Sequence, residues 1–126
     1  EQKAEDYLLK AKDNAEDLEE IALRLSNLYL EQERFDEVLK FEEQDIDNVL
    51  TKWNIARAYQ ALEQTTAALE RYRLLLSDLK ENPEFLEQYI YLLREMGDFG
   101  EAKHQAEHYL HLVPDDVEMQ ELYDSL

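Results

Sequence analysis

Residues 83–116 read PEFLEQYIYLLREMGDFGEAKHQAEHYLHLVPDD, and this stretch decides the fold. Its apolar residues recur at helical spacing on both sides of Gly97, which predicts two amphipathic helices joined by a tight turn. The residues expected to share a face are Leu86, Tyr89, Ile90 and Leu93 in the first helix, and Ala102, Ala106 and Tyr109 in the second. The small alanines allow the two helices to approach closely.

The turn between these helices carries its own signals. Gly97 supplies the left-handed conformation that ends a helix at little cost. Asp98 is the expected N-cap of the second helix, and Glu101, three residues later, would complete a capping box. Pro114 cannot continue the second helix, so we expect that helix to end just before it.

This stretch resembles the tetratricopeptide repeat, a helix-turn-helix unit of 34 residues. The positions that carry the resemblance are Gly97, Phe99, Ala102, Tyr109 and Pro114, with Leu86 and Leu93 at the large anchor positions of the first helix. The resemblance implies an all-α fold, a right-handed superhelical solenoid of antiparallel helix pairs with about seven to eight helices.

The same period continues towards the N-terminus. Residues 49–82 fit a full repeat, in which Ala68, Tyr72 and Leu75 form the ladder of the second helix, and Glu63 and Gln64 take the turn without a glycine. Residues 19–48 fit a repeat of only 30 residues, which predicts that its second helix is about one turn short.

The shortened repeat departs from the pattern at specific residues. Glu42 stands where the repeat expects an aromatic residue, and Phe41 and Ile46 are the candidates to supply the missing apolar contacts. The early end of the helix leaves Asp47 or Asn48 to cap the helix that follows.

The remaining residues complete a single tetratricopeptide-like domain over residues 1–126. Residues 1–18, with Ala4, Leu8 and Ala11, fit the second helix of a preceding half repeat. Residues 117–126 fit a partial or capping first helix. The chain is then either cut from a longer array or closed by its two end helices, because stacked repeats bury each other's faces.

The chain is strongly acidic, with 13 Lys and Arg against 31 Asp and Glu and a formal net charge of −18. Residues 1–48 carry a net −10 and residues 83–126 a net −9, while residues 49–82 carry +1. A field of this sign repels phosphate, which argues against nucleic acids and anionic membranes as partners. It attracts a partner with basic flanks; the alternative is that the acidity only keeps a helical surface soluble.

The composition also excludes several kinds of site. The chain has no cysteine, which removes disulfides, thiol chemistry and cysteine zinc sites. It has no glycine-rich phosphate loop, nucleophile elbow or calcium loop, so we predict no enzyme activity and no cofactor. No apolar run of 18 residues and no secretory apolar region occur, and we expect a cytoplasmic protein without a membrane span.

The three histidines form one stripe of the last full repeat, at His104, His108 and His111. Residues 104–108 read HQAEH, which matches the H-x-x-E-H pattern of inverted zinc peptidases. A catalytic zinc needs a third protein ligand and a walled cleft, and the repeat register turns this stripe away from the core. We predict no metal site there, although a surface metal contact or a pH-sensitive contact is the alternative.

Tetratricopeptide arrays bind peptides or proteins in a concave groove lined by their first helices, and the resemblance implies which residues would line it here. The predicted groove residues are Leu23, Asn27, Leu30, Trp53, Arg57, Tyr91 and Arg94. Trp53 with Arg57, and Tyr91 with Arg94, are aromatic-plus-arginine pairs of the type that anchors interfaces. The register leaves open whether Trp53 faces the groove or the core. The lysine and asparagine pattern of chaperone-binding members is matched at Asn27 alone.

The sequence therefore predicts a non-catalytic scaffold that binds a peptide or protein segment in its groove. Two alternatives stay open. One is a structural module that self-associates into a homo-oligomer through its end helices, and the other is a sensor fragment of a larger regulatory protein.

Overall fold

The computed structural model describes residues 18–44 and 46–126, and every element in those ranges is helical. The helices are, in chain order, α1 (Leu18–Glu31), α2 (Phe35–Leu39) with a continuing 3-10 turn (Lys40–Glu43), α3 (Val49–Ala61), α4 (Thr65–Leu79), α5 (Pro83–Glu95), α6 (Phe99–Leu112) and α7 (Val117–Ser125). The chain forms two compact units, the first ending at Arg71 and the second spanning Tyr72–Leu126. The predicted half repeat over residues 1–18, with Ala4, Leu8 and Ala11, lies almost wholly outside the described residues.

Three turns between paired helices share one backbone geometry. Each has a residue with positive φ at its centre, Glu33 (57°), Glu63 (62°) or Gly97 (82°). The amide of the following residue donates to a carbonyl five positions back, and these pairs are Arg34 to Tyr29, Gln64 to Tyr59 and Asp98 to Leu93, at 2.8–2.9 Å. This is the Schellman arrangement that closes a helix C-terminus. The central residues of successive turns are 30 and 34 positions apart.

Helix N-termini are capped by short polar side chains. Asn48 accepts hydrogen bonds from the amides of Leu50 and Thr51 and begins α3, so it is Asn48 rather than Asp47 that provides the cap. Asn82 caps α5 and Asp116 caps α7 in the same way. These side chains satisfy amides that have no partner within the helix.

The predicted capping box at α6 is half correct. Asp98 accepts a hydrogen bond from the Glu101 amide, as expected for an N-cap. Its own amide, however, donates to the Leu93 carbonyl of the preceding helix. The Glu101 carboxylate therefore does not close the box and instead accepts from Gln105 Nε2 at 2.7 Å. The turn geometry supplies a partner for the Asp98 amide first, which makes the reciprocal bond unnecessary.

The first unit builds its core from α1, α2 and α3. α1 packs against both α2 and α3, and α2 also packs against α3. The second helix of this repeat is α2, which has only five residues before it tightens into the 3-10 turn. Phe41 and Ile46, the residues predicted to supply apolar contacts here, are buried in the same cluster as Leu25 and Val38.

The second unit packs α5 against α6 and α6 against α7. Ala102 and Ala106 are fully buried on α6, as the close approach of two helices requires. Tyr72 packs against the tilted Phe85 ring and stacks on Tyr89, with ring centroids 5.3 and 6.2 Å away. These buried rings stabilise the packing of α4 on α5, since each removes a large apolar area from water.

Candidate partner-binding surfaces

The predicted positions on α1 lie at the edge of the first unit. Leu23 and Leu30 are half-buried and Asn27 is exposed. The Asn27 side-chain oxygen accepts a hydrogen bond from Asn54 Nδ2 of α3 at 2.8 Å. Asn54 is buried and also donates to the buried Ser26 hydroxyl at 2.9 Å. Buried polar groups need hydrogen-bond partners, and Asn27 provides one for Asn54. The Asn27 side chain therefore helps to hold α1 against α3.

Trp53 and Arg57 form a stacked pair on α3 of the first unit. The Trp53 side chain is only 5% exposed, which favours the core interpretation of this residue. The central carbon of the Arg57 guanidinium lies 4.0 Å from the indole centroid, a cation–π distance. Arg57 is half-buried, so the arginine rather than the tryptophan presents this pair to solvent.

Tyr91 and Arg94 form the matching pair on α5 of the second unit. Tyr91 is 38% exposed, whereas Tyr72, Tyr89 and Tyr109 of the same unit are buried. The Arg94 guanidinium lies 5.4 Å from its ring centroid. Arg94 forms no ion pair with any residue that the structure describes. This pair therefore places a solvent-facing aromatic ring beside an arginine that has no ion pair within the described part of the chain.

A hydrogen-bonded pair joins α6 to the N-cap residue of α7. The Tyr109 hydroxyl on α6 donates to Asp116 Oδ2 at 2.6 Å. Burial and this hydrogen bond raise the pKa of Tyr109, and the charges of Asp116 and Glu87 act in the same direction. The hydrogen bond from Tyr109 in turn lowers the pKa of Asp116. Two carboxylates, from Glu87 and Asp116, thus act on the same phenol.

The comparison with known families agrees with these helix pairs. The family described as "YpiA-like, C-terminal tetratricopeptide repeats" matches residues 50–116, which is more than half of the chain. The chain belongs to this tetratricopeptide family. No match is found among curated proteins. Tetratricopeptide repeats generally mediate protein–protein interaction and are typically non-enzymatic. Membership of the family does not identify a partner or a binding mode.

The tetratricopeptide pattern is broken at Glu42, and the structure gives the reason. Glu42 occupies an aromatic position of the shortened repeat, where its carboxylate accepts two hydrogen bonds from Arg71, at 2.8 and 3.0 Å. The Tyr59 hydroxyl donates a third at 2.7 Å, and the Arg71 guanidinium also lies over the Tyr59 ring. The sequence indicates that Glu42 departs from the repeat pattern, but it does not predict the cluster that Glu42 forms with Tyr59 and Arg71. A charged residue at a core position of a repeat was the signal that a partner of opposite charge lies opposite.

The histidine stripe of the tetratricopeptide chain lines a shallow depression on α6 together with Leu76, Lys80 and Glu107. His108 donates through Nε2 to the Lys80 carbonyl at 2.9 Å, which ties α6 to the end of α4. Within residues 18–44 and 46–126, no three histidine or carboxylate side chains converge on a point where a metal could bind.

The search for membrane spans gives one further result. Over the part of the tetratricopeptide chain that the structure describes, no helix has both the length and the apolar character needed to cross a bilayer.

Proposed function

We propose that this chain is a non-catalytic scaffold that binds a segment of a protein or peptide on the exposed faces of its first helices. The observation that carries the proposal is the Tyr91–Arg94 pair on α5, an exposed aromatic ring next to an arginine without an ionic partner among the described residues. Tyrosine and arginine are enriched among residues that dominate binding energy.

Tyr91 and Arg94 would make different kinds of contact with the partner. The Tyr91 ring supplies apolar area that a partner side chain removes from water. The Arg94 guanidinium presents fixed donors, which suit the carbonyls of an extended segment or a carboxylate. The contact with Tyr91 restricts the rotamers of the Arg94 side chain in the free protein. Binding then loses less side-chain entropy, which favours a higher affinity.

The first unit would contribute a separate contact through Arg57. The buried Trp53 ring holds the Arg57 guanidinium at 4.0 Å and so positions its donors. In this proposal Trp53 supports binding through Arg57, while Leu23, Asn27 and Leu30 of α1 offer a mixed apolar and polar edge. The cytoplasmic location and the exclusion of nucleic acid stay predictions from composition.

The test is an affinity capture from source-cell lysate, read by quantitative mass spectrometry, with four baits. They are the wild type, Tyr91→Ala with Arg94→Ala, Arg57→Ala alone, and a control with His104→Ala and Glu107→Ala on exposed α6 positions. Trp53→Ala is left out because its side chain is buried and its removal would damage the fold.

The proposal predicts that a partner retained by the wild type and the control is lost by the Tyr91 and Arg94 variant, with unchanged helical circular dichroism. If all four baits capture the same proteins, or none captures any, the first-helix faces are not the binding surface. Light scattering over a range of concentrations would then examine self-association through the end helices, the main alternative.

A further inference from the structure

A directional chain of hydrogen bonds links α1 to α3 in the first unit. The Ser26 hydroxyl donates its single hydrogen to the Leu23 carbonyl at 2.9 Å. The hydroxyl oxygen can then only accept, and it accepts from Asn54 Nδ2 at 2.9 Å. The same nitrogen donates its second hydrogen to the side-chain oxygen of Asn27 at 2.8 Å. Asn54 therefore fixes which end of the Asn27 side-chain amide faces α3.

The nitrogen of the Asn27 side chain is the end that is left for a partner. Asn54 is only 3% exposed and Ser26 is fully buried, whereas Asn27 is exposed. Among the residues that the structure describes, none accepts a hydrogen bond from Asn27 Nδ2. An amide nitrogen donates two hydrogens and accepts none. The buried asparagine thus makes the surface of α1 a hydrogen-bond donor at Asn27.

Two leucines flank this donor on the same face of α1. Leu23 lies four residues before Asn27 and Leu30 three residues after it, and both are half-buried. Leu30 also packs against the core cluster of the first unit. An acceptor that binds Asn27 therefore meets apolar surface on both sides. Exclusion of water by that surface strengthens the hydrogen bond.

The acceptor that fits this donor is a main-chain carbonyl of an extended segment. Carbonyls within a helix are already bonded inside it, whereas those of an extended segment are available. A carboxylate is disfavoured by the charges of α1. Glu31 lies four residues after Asn27 and forms no ion pair with a described residue, and residues 1–48 carry a net −10. A neutral oxygen avoids this repulsion.

We infer that Asn27 donates a hydrogen bond to a main-chain carbonyl of an extended protein segment, and that the buried Asn54 is the positioning residue that orients it. This inference rests on the proposed function and names the acceptor group of the partner. Apolar side chains of the segment would lie against Leu23 and Leu30, on either side of the bound carbonyl. The contact selects for the conformation of the segment, because every residue type carries the same carbonyl.

The orientation of the two amides is tested first, by heteronuclear NMR of the whole chain without a ligand. Asn27→Asp removes one side-chain NH2 signal and so identifies it. Exchange with water should be slow for the Asn54 NH2, since both of its hydrogens are bonded, and fast for the Asn27 NH2. A protected Asn27 NH2 beside a rapidly exchanging Asn54 NH2 would overturn the inference.

Binding is then tested with a peptide selected on the whole chain from a random dodecapeptide library displayed on phage. The most enriched peptide is made with an amidated C-terminus and with a free carboxylate, and fluorescence anisotropy measures its affinity for three versions of the chain. They are the wild type, Asn27→Asp and Gln64→Glu. Asn27→Asp keeps the oxygen that accepts from Asn54 and removes the outward donor. Gln64→Glu adds the same charge at an exposed position of the first unit.

The inference predicts that Asn27→Asp loses affinity about tenfold, because the carbonyl then meets a carboxylate instead of a donor. Gln64→Glu should stay within about twofold of the wild type. The amidated peptide should bind at least as tightly as the carboxylate form, and it should shift the Asn27 NH2 signal of the wild type.

The contrary outcomes separate the inference from the proposed function. Equal losses in the two variants, tighter binding of the carboxylate form, or no shift of the Asn27 NH2 signal would overturn the inference. A selected peptide that Asn27→Asp binds as tightly as the wild type would also overturn it and leave the proposed function standing. If no peptide is enriched, both are overturned.

Discussion

Glu42 and Arg71 lie 29 residues apart in the chain and are joined by two hydrogen bonds of 2.8 and 3.0 Å. This bidentate pair connects the shortened second helix of the first unit to α4. An aromatic residue at position 42 would have made apolar contacts, and the carboxylate makes charge-assisted ones instead. The pair is partly solvent-exposed, with 27% of the Arg71 and 36% of the Glu42 side chain accessible. Its stabilising contribution is therefore modest.

The first prediction concerns the Glu42 charge. Glu42→Gln should lower the free energy of unfolding by about 1 kcal/mol, because it removes the charge from a partly exposed bidentate pair. Glu43→Gln is the matched control, since Glu43 is the exposed neighbour and has no recorded partner among the described residues. Urea unfolding at pH 7 measures both. Equal effects of the two substitutions would mean that Glu42 contributes nothing through Arg71.

The second prediction is the pH dependence of that difference. The hydrogen bonds from Arg71, together with the one from Tyr59, hold the pKa of Glu42 below its ordinary value, although partial burial opposes them. A lowered folded-state pKa contributes stability that is complete above the ordinary pKa of a glutamate, about 4.3. The contribution is lost as the pH falls through the folded-state pKa. The gap in unfolding free energy between wild type and Glu42→Gln should therefore be constant from pH 7 to about 5 and shrink below that. A gap that widens on acidification would contradict this assignment.

The third prediction compares the two glycines of the chain. Neither Gly97 nor Gly100 has a neighbouring atom within 4 Å of an added Cβ, so steric space is equal. Only Gly97 has a positive φ, at 82°. Gly97→Ala should destabilise the chain by about 1 kcal/mol, whereas Gly100→Ala in α6 should stabilise it by roughly 0.5 kcal/mol. Thermal unfolding followed by circular dichroism checks both. Unchanged or raised stability of Gly97→Ala would show that the turn tolerates an ordinary residue, as the turns at Glu33 and Glu63 do.

The fourth prediction separates the members of the Trp53–Arg57 pair. Trp53→Ala should cost about 3–5 kcal/mol, because it removes a large buried ring. Arg57→Ala should cost under about 1 kcal/mol, since it removes a half-buried side chain and one cation–π contact. Urea denaturation with circular dichroism measures the two midpoints. Comparable losses would show that Trp53 is not the core residue that its burial indicates.

Much of the fold could be predicted from the sequence because its signals are local. The Gly97 turn, the Asp98 cap, a cap at Asp47 or Asn48 and the stop before Pro114 depend on residues within a few positions of each other. The short period of the first repeat was also visible, since Phe41 and Ile46 stood where replacement contacts were needed. All of these features follow from backbone conformation and from which face of a helix is apolar.

The features that escaped prediction depend on contacts distant in the sequence. The partner of Glu42 lies 29 residues away, and nothing around Glu42 indicates which arginine reaches it. A shift of one residue in the repeat register moves Trp53 from the groove to the core. The sequence pattern does not fix the register that closely, so the burial of Trp53 could not be predicted. Glu101 met the spacing of a capping box, but the backbone of the preceding turn had already supplied a partner for the Asp98 amide.

The central claim is that partners bind to the face of α5, and the most direct measurement is position-resolved photo-crosslinking. A p-benzoylphenylalanine is placed at position 95 on α5, four residues after Tyr91, in one chain and at position 107 on α6 in another, and each is irradiated in source-cell lysate. Both positions are exposed, and neither replaces a residue to which the account gives a binding role. The account predicts a discrete covalent adduct from position 95 that is absent from position 107. An adduct from position 107 alone, or equal adducts from both, would contradict it.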